Sequence, residues 1–252
     1  MTMKIALITG ASRGLGKSMA LNLAKKETDI ILTYNSNQGE AEKVVNEIEG
    51  IGRKAIALHL DVSQHSSFDT FTTDIGNVLK SKWGRENFDF LINNAGIGIH
   101  AGFMETSEEQ FDQVMNINLK GPFFLNQKLI RLIKDGGHIL NVSSGLARFS
   151  LPGFAAYASM KGGMEVLTRY MAKELGPRGI SVNIIAPGAI ETDFGGGAVR
   201  DNKDMNKFIA SQTAKGRAGL PDDIGSAVAT ILCGDCMWIT GQRIEISGGM
   251  FL

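Results

Sequence analysis

Short apolar runs alternate along the chain with longer stretches in which apolar residues return every three or four positions. The runs cover residues 4–9, 29–34, 54–60, 88–93, 138–142, 181–186 and 243–246. Within them Ile, Leu, Val and Phe follow one another without strict alternation, as in strands covered on both faces of a parallel sheet. The amphipathic stretches cover 15–26, 39–49, 66–81, 107–134, 155–175 and 222–233. Strands and helices alternating at these lengths predict βαβ units, and hence an α/β, Rossmann-type doubly wound sheet with helices on both faces.

Local signals agree with this pattern. Ser107 followed three residues later by Gln110 is a capping box for the fourth amphipathic stretch, and Gly176-Pro177 closes the fifth. Residues 194–219, opening on Phe194 and Gly195-Gly196-Gly197, are the least regular and read as a mobile substrate lid with a small helix. No linker or repeat interrupts the rest, so residues 1–252 are expected to form one dinucleotide-binding and catalytic domain.

Charge narrows the partners. Lys+Arg and Asp+Glu both number 26, so no net field draws in nucleic acid or an anionic membrane, and neither is an expected partner. No stretch approaches the roughly 18–20 apolar residues that cross a bilayer. The first apolar run is too short for a signal-peptide core, so a cytoplasmic protein is expected. Glycine is abundant, 31 of 252 residues or about 12% against a usual ~7%, and its excess serves turns and close backbone approaches. Cys233 and Cys236 make a C-x-x-C, but with no second pair and only scattered histidines no metal site is expected.

The first run leads into Thr9-Gly10-Ala11-Ser12-Arg13-Gly14-Leu15-Gly16 and then a helix. A glycine turn at such a junction aims backbone N–H groups and the helix dipole at an anion, usually a pyrophosphate. The alternative, a P-loop ending in Gly16-Lys17-Ser18, lacks its first glycine because residue 11 is alanine. Later, Tyr157 and Lys161 stand four apart near the start of the long helix, so hydroxyl and ammonium share one face. An ammonium beside a phenol favours the phenolate and tunes it for proton transfer. Ser144 follows the fifth run, at the carboxyl end of a strand, where ligands bind in sheets of this kind.

Taken in order, Thr9-Gly10-x-x-x-Gly14-x-Gly16, Leu60-Asp61-Val62, Asn93-Asn94-Ala95-Gly96, Asn118, Ser144, Tyr157-x-x-x-Lys161 and Pro187-Gly188 resemble the short-chain dehydrogenase/reductase family over essentially the whole length. The resemblance implies a seven-stranded parallel sheet, hydride transfer to or from a nicotinamide cofactor, and a homotetramer. Tyr157 would be the general acid that protonates a carbonyl oxygen, and Ser144 would hold that oxygen. Lys161 would bind the nicotinamide ribose and lower the Tyr157 pKa, and Asn118 would hold a water relaying protons to Lys161. Gly10, Ser12, Arg13, Gly14, Leu15 and Gly16 would cradle the dinucleotide, with Asp61 and Val62 at the adenine. Asn94, Ala95 and Gly96 would lie on the adenosine side, and Pro187, Gly188, Ile190 and Thr192 toward the nicotinamide.

An acid at the end of the second strand would repel a 2′-phosphate. The chain has Asn35 and Ser36 there, and Arg13 in the glycine turn to pair with such a phosphate, so NADPH is expected, with NADH the alternative. The expected reaction is reduction of a small-molecule ketone to an alcohol. Leu146, Leu151, Phe154, Ile190 and Phe194 would form an apolar pocket, with His100 at its mouth or simply on a surface loop. Two alternatives stay open: a β-ketoacyl-carrier-protein reductase of fatty-acid synthesis, and a non-catalytic dinucleotide sensor. Arg178 fits docking of an acidic acyl carrier protein, whereas Asp135 opposes it, so that partner is possible but not favoured.

Overall fold

The computed structural model describes residues 3–234 and 236–252. Its elements run β1 (Lys4–Ile8), α1 (Gly14–Lys25), β2 (Thr28–Tyr34), α2 (Gln38–Gly50), β3 (Ala55–His59), α3 (Phe68–Val78), β4 (Phe88–Asn93), α4 (Glu108–Met115) and α5 (Gly121–Leu129). There follow β5 (Ile133–Val142), α6 (Ala155–Leu175), β6 (Ser181–Pro187), α7 (Ala198–Asp201), α8 (Lys203–Ser211), α9 (Pro221–Cys233) and β7 (Arg243–Ile246). The seven strands form one parallel sheet in the order β3-β2-β1-β4-β5-β6-β7. The order reverses between β1 and β4, which leaves a crevice at their carboxyl ends.

Strands without alternation are covered on both faces, and two cores result. Ile8, Met19, Leu23, Ile30 and Val228 pack on the face covered by α1, α2 and α9. Leu7, Phe68, Ile75, Phe88 and Leu125 pack on the other, under α3 and α5. A buried amide chain closes the carboxyl end of the sheet. Asn93 Nδ2 donates to Asn141 Oδ1 (2.8 Å) and Asn126 Oδ1 (3.1 Å), and Asn141 Nδ2 donates to Thr168 Oγ1 (2.8 Å). It ties β4 and β5 to α5 and α6, so the residues that follow both strands have a firm base.

The helix expected over residues 107–134 is in fact three pieces. The Ser107–Gln110 capping box is present, but the chain widens into one π turn, Asn116–Lys120, between α4 and α5. The cause is local: Asn118 Nδ2 donates to Val114 O (3.0 Å), so a side chain enters the helical ladder. The far end is also shorter than expected, because Ile133 already pairs with Phe88 as the start of β5.

Candidate active site

The glycine turn folds as its spacing demands. Gly10 and Gly14 have φ of 63° and 56°, backbone that glycine adopts without strain. Gly16 is required for a different reason: a Cβ there would lie 2.7 Å from Ala11 Cα and closer still to the Gly10 carbonyl. Thr33 accepts from Gly10 N through its hydroxyl (3.1 Å) and from Ala11 N through its carbonyl (2.9 Å), which fastens the turn to β2. Helix α1 begins with no side-chain cap and no acid in its first turn, so its positive end faces the crevice unneutralised.

Across the turn, the Asn94 amide donates to the Thr9 and Gly10 carbonyls (both 2.9 Å), while Thr9 Oγ1 accepts from Asn94 N and Ala95 N (both 3.0 Å). The Asn94 side chain is thus spent on holding the turn, a role that its placing at the adenosine side did not anticipate. Thr9 shares that role and was quoted only as part of the motif. Asp61 Oδ1 accepts from Ser63 N and Oγ (2.9 and 2.7 Å), and Val62 is buried beside it. Asn35 and Ser36 are exposed just beyond β2.

The four expected catalytic residues come together at the carboxyl ends of β4 and β5. Asn118 sits in the π turn, with its amide nitrogen bonded to Ile97 O and Val114 O (both 3.0 Å) and its Oδ1 buried without a partner. A Cβ on Gly96 would be 2.7 Å from that oxygen and 3.6 Å from Lys161 Nζ, so both groups flank the bare backbone of Gly96. Lys161, 5% exposed, donates to Val142 O (2.8 Å). Ser144 ends the β5 segment with extended backbone, and its Oγ accepts from Leu146 N (3.2 Å). Tyr157, 6% exposed, packs with Val114, Met160 and Leu146.

Burial pushes the Tyr157 hydroxyl up to about 12, and a hydrogen bond with Ser144 pulls it back only in part. The Lys161 ammonium donates to the Val142 carbonyl and lies 5.5 Å from the centre of the tyrosine ring. Burial in turn lowers Lys161 to about 8. Below about pH 8 folding buries a charged ammonium, whereas between about 8 and 10.5 only the unfolded chain keeps that proton. Stability from this group therefore rises with pH across that window. Lys161→Met is expected to raise the melting temperature of the cofactor-free protein at pH 7, by the equivalent of about 1–3 kcal/mol. The gain should shrink toward pH 10; calorimetry across pH that finds a constant difference would refute the burial argument.

Pro187 ends β6, and Gly188 is required because a Cβ there would meet Ser247 Cα at 2.9 Å. Ile190 bridges to Gly219 and packs against the first core, so it anchors both ends of residues 190–219 to the sheet. Thr192 is nearly buried, and its Oγ1 accepts from Phe194 N (3.2 Å). Residues 194–219 hold more helix than expected, α7 and α8, after three glycines with φ of 61°, 72° and 78°. Phe194 leads them onto the site: its ring centre is 5.7 Å from that of Tyr157, and it lies over Gly98. His100, exposed in the loop after β4, packs its ring edge-on against Phe154 (5.0 Å) and over Gly153. Leu151 is half-buried in the same loop, between Ser144 and α6.

Arg13 lies near an acid that sequence reasoning missed. Its guanidinium is 3.8 Å from the Asp193 carboxylate, which Arg200 also binds. The Arg13–Asp193 pair is well exposed, and exposed pairs of this kind contribute at most about 1 kcal/mol. Arg178, the candidate for carrier-protein docking, is a structural clasp: it donates to Asp135 (2.7 Å), Ile130 O (2.8 Å) and Ile133 O (2.6 Å). Cys233 ends α9 near Thr28, and the intervening Asp235 lies outside the described residues.

Known proteins resemble this arrangement along nearly its whole length. The family model for enoyl-(acyl carrier protein) reductase matches residues 10–251. Tetrahydroxynaphthalene reductase PfmaG of Pestalotiopsis fici is 34% identical over 98% of this chain and 91% of its own length. Among solved structures, the promiscuous reductase LugOII, which catalyses keto-reduction at C1 during lugdunomycin biosynthesis, superposes with a TM-score of 0.92 at 36% identity, covering 99% of this chain and 98% of its own. The angucycline C-6 ketoreductase LanV with bound NADP superposes with a TM-score of 0.93 at 33% identity, covering 98% and 95%. With the glycine turn, the serine–tyrosine–lysine site and the sheet order all in place, this chain belongs to the short-chain dehydrogenase/reductase family.

Proposed function

We propose that the protein is an NADPH-dependent carbonyl reductase acting on a ketone carried by a planar aromatic ring system. The observation that carries this reading is the burial of Tyr157 and Lys161 beside Ser144, next to an uncapped helix start free of acids. Burying a lysine costs stability, and a serine and a tyrosine hydroxyl brought together beside it serve proton transfer, which a non-catalytic sensor does not need. The residues present suit a dinucleotide: Gly10 and Gly14 take up positive φ and Gly16 admits the turn's close approach, so the turn can aim its N–H groups at a phosphate. When bound, NADPH supplies the hydride.

The chain's own residues do the rest. Ser144 and Tyr157 hold the carbonyl oxygen between two hydroxyls, and Tyr157 gives it a proton as negative charge develops. A hydroxyl with its pKa near 12 stays protonated at neutral pH and so begins each turnover as a donor. Lys161 flanks Gly96 together with Asn118, whose buried, unpartnered Oδ1 would accept from a water that returns the proton through Lys161. Arg13 leaves its weak pairing with Asp193 for the 2′-phosphate, which carries more charge, while Asn35 and Ser36 add neutral donors.

Aromatic rings supply the substrate preference. Phe194, Phe154, His100 and Tyr157 edge the site, and the ketoreductases and the naphthalene reductase it resembles carry names that point to fused-ring substrates. An acyl-carrier-protein substrate fits less well, since Arg178 is committed to the fold. The test is loss of NADPH or NADH absorbance with 2-tetralone, an open-chain β-ketoester and an acyl-carrier-protein thioester. Fastest turnover is expected with NADPH and 2-tetralone, and Arg13→Ala should raise the KM for NADPH about tenfold while sparing NADH. Equal use of the two cofactors by the wild type would refute the cofactor assignment.

Two exposed apolar faces support assembly as a homotetramer. One is the edge strand β7 with α9, where Ile231, Ile244 and Ile246 line a groove of about 340 Å³. The other lies on α4, α5 and α6, where Phe111, Phe123, Phe124, Val166 and Tyr170 are exposed. Two different self-complementary faces generate a closed tetramer, whereas one gives a dimer. Light scattering on the eluted protein should report about four times the chain mass of 27.1 kDa. Among the described residues, no helix is long and apolar enough to cross a membrane. We place the protein in the cytoplasm, where NADPH is kept reduced.

A further inference from the structure

Helix α6 carries a third rung below Tyr157 and Lys161. Glu165 is one further turn along the same face, and like the other two it reaches the end of β5. Lys161 holds the Val142 carbonyl, and Glu165 Oε1 accepts from Ser143 Oγ (2.6 Å). The same carboxylate oxygen accepts from Arg243 Nε (2.6 Å), an ion pair with side chains only 15% and 21% exposed. Arg243 comes from β7, on the far side of β6, and its Nη2 donates to the carbonyl of Ser144 (3.3 Å). Its remaining nitrogen, Nη1, binds Glu245, which also faces Arg148 at 3.5 Å. Arg148 in turn donates to the Met250 and Phe251 carbonyls (3.1 and 3.4 Å).

We propose that Arg243, oriented by Glu165 and Glu245, is a positioning residue for Ser144. Its guanidinium fixes the plane of the peptide that follows Ser144. That plane sets where the serine side chain leaves the backbone, and so where its Oγ stands relative to Tyr157. The same carbonyl accepts from Ala147 N (3.1 Å) in the turn that follows, so that turn and Arg243 hold it from two sides, while Ser143 is tied through its N–H to Ile185 O (2.7 Å) and through its hydroxyl to Glu165. An oxygen displaced by about 1 Å from its working position can cost up to a hundredfold in rate without any loss of binding. The inference rests on the proposed reduction only in taking Ser144 to hold the substrate oxygen.

The experiment compares wild type, Arg243→Met, Arg243→Lys, Glu165→Gln and Ser144→Ala, together with Ser144→Ala combined with Arg243→Met. Each is assayed with NADPH and 2-tetralone, and each free protein is also followed by hydrogen exchange at Leu146, whose amide donates to Ser144 Oγ. Arg243→Met should lower kcat about ten- to thirtyfold, with the KM for 2-tetralone and the Kd for NADPH within about twofold. In the Ser144→Ala background it should cost less than about twofold, because residues acting through one another are not additive. Arg243→Lys should restore part of the rate, and exchange at Leu146 should speed up in Arg243→Met as it does in Ser144→Ala.

Equal losses in both backgrounds, wild-type kcat in Arg243→Met, or a matching fall in NADPH affinity would each overturn the proposal. If Arg243→Met does not fold, Glu165→Gln, which keeps the volume, is put through the same pair of backgrounds and judged by the same criteria. Absence of wild-type turnover with 2-tetralone would count against the proposed substrate class alone. Exchange at Leu146 would then decide the positioning role, since it needs no turnover, and unchanged exchange in Arg243→Met would overturn it.

Discussion

Tyr157→Phe is expected to lower kcat by at least about a thousandfold while the Kd for NADPH stays within twofold. Phenylalanine keeps the ring, and with it the packing on Val114 and Met160 and the contact with Phe194. What disappears is the hydroxyl, the proposed proton donor and a partner of Ser144. General acid catalysis accounts for roughly 10²–10⁴ in rate, and loss of the shared grip on the carbonyl oxygen adds to it. The measurement is single-turnover and steady-state kinetics on the best ketone, with nucleotide titration as the control for folding. Retention of a tenth of the wild-type rate would mean that another group donates the proton, and the site would have to be reassigned.

Gly16→Ala is expected to weaken NADPH binding at least about fiftyfold and to lower the melting temperature by several degrees. The added methyl would stand 2.7 Å from Ala11 Cα and from Asn94 Nδ2, and closer to the Gly10 carbonyl. Two of these three neighbours are backbone, and Asn94 is itself clamped on Thr9 and Gly10, so the turn must shift as a unit. Overpacking of this kind costs about 1–3 kcal/mol, which in a chain of this size corresponds to roughly 2–12 °C. The same shift spoils the anion cradle, because its N–H groups belong to the displaced turn. Gly76→Ala in α3 is the control: nothing lies within 4 Å of its would-be Cβ, so it should bind NADPH normally and melt no lower. Wild-type affinity in Gly16→Ala would place the dinucleotide elsewhere.

The features legible in the chain are those set by spacing. Continuous apolar runs such as Phe88–Asn93 mark buried parallel strands, because a strand covered on both faces has no solvent side to carry polar residues. Glycines at positions 10, 14 and 16, and Tyr157 four residues before Lys161, are local patterns whose geometry follows from turn and helix periodicity. Accordingly the glycine turn, the seven strands and the grouping of Ser144, Tyr157 and Lys161 are where they were expected. The helix read across residues 107–134 went wrong at Asn118, because an apolar period does not reveal that one side chain will bond inside the ladder and open a π turn.

By itself, then, the order of residues determined the strands, the glycine turn at positions 10, 14 and 16, and the placing of Tyr157 four residues before Lys161, all of them local patterns. Only the tertiary structure decided what surrounds them. It buried Tyr157 deeply enough that desolvation raises its hydroxyl, and it held Lys161 on the Val142 carbonyl. It committed Arg178 to backbone carbonyls, set Arg13 against Asp193 across the crevice, and brought Arg243 from the last strand to the carbonyl of Ser144. The physical reason is that burial and charge pairing depend on which distant segments meet, and partners separated by 99 residues, as Ser144 and Arg243 are, leave no periodic trace in the chain.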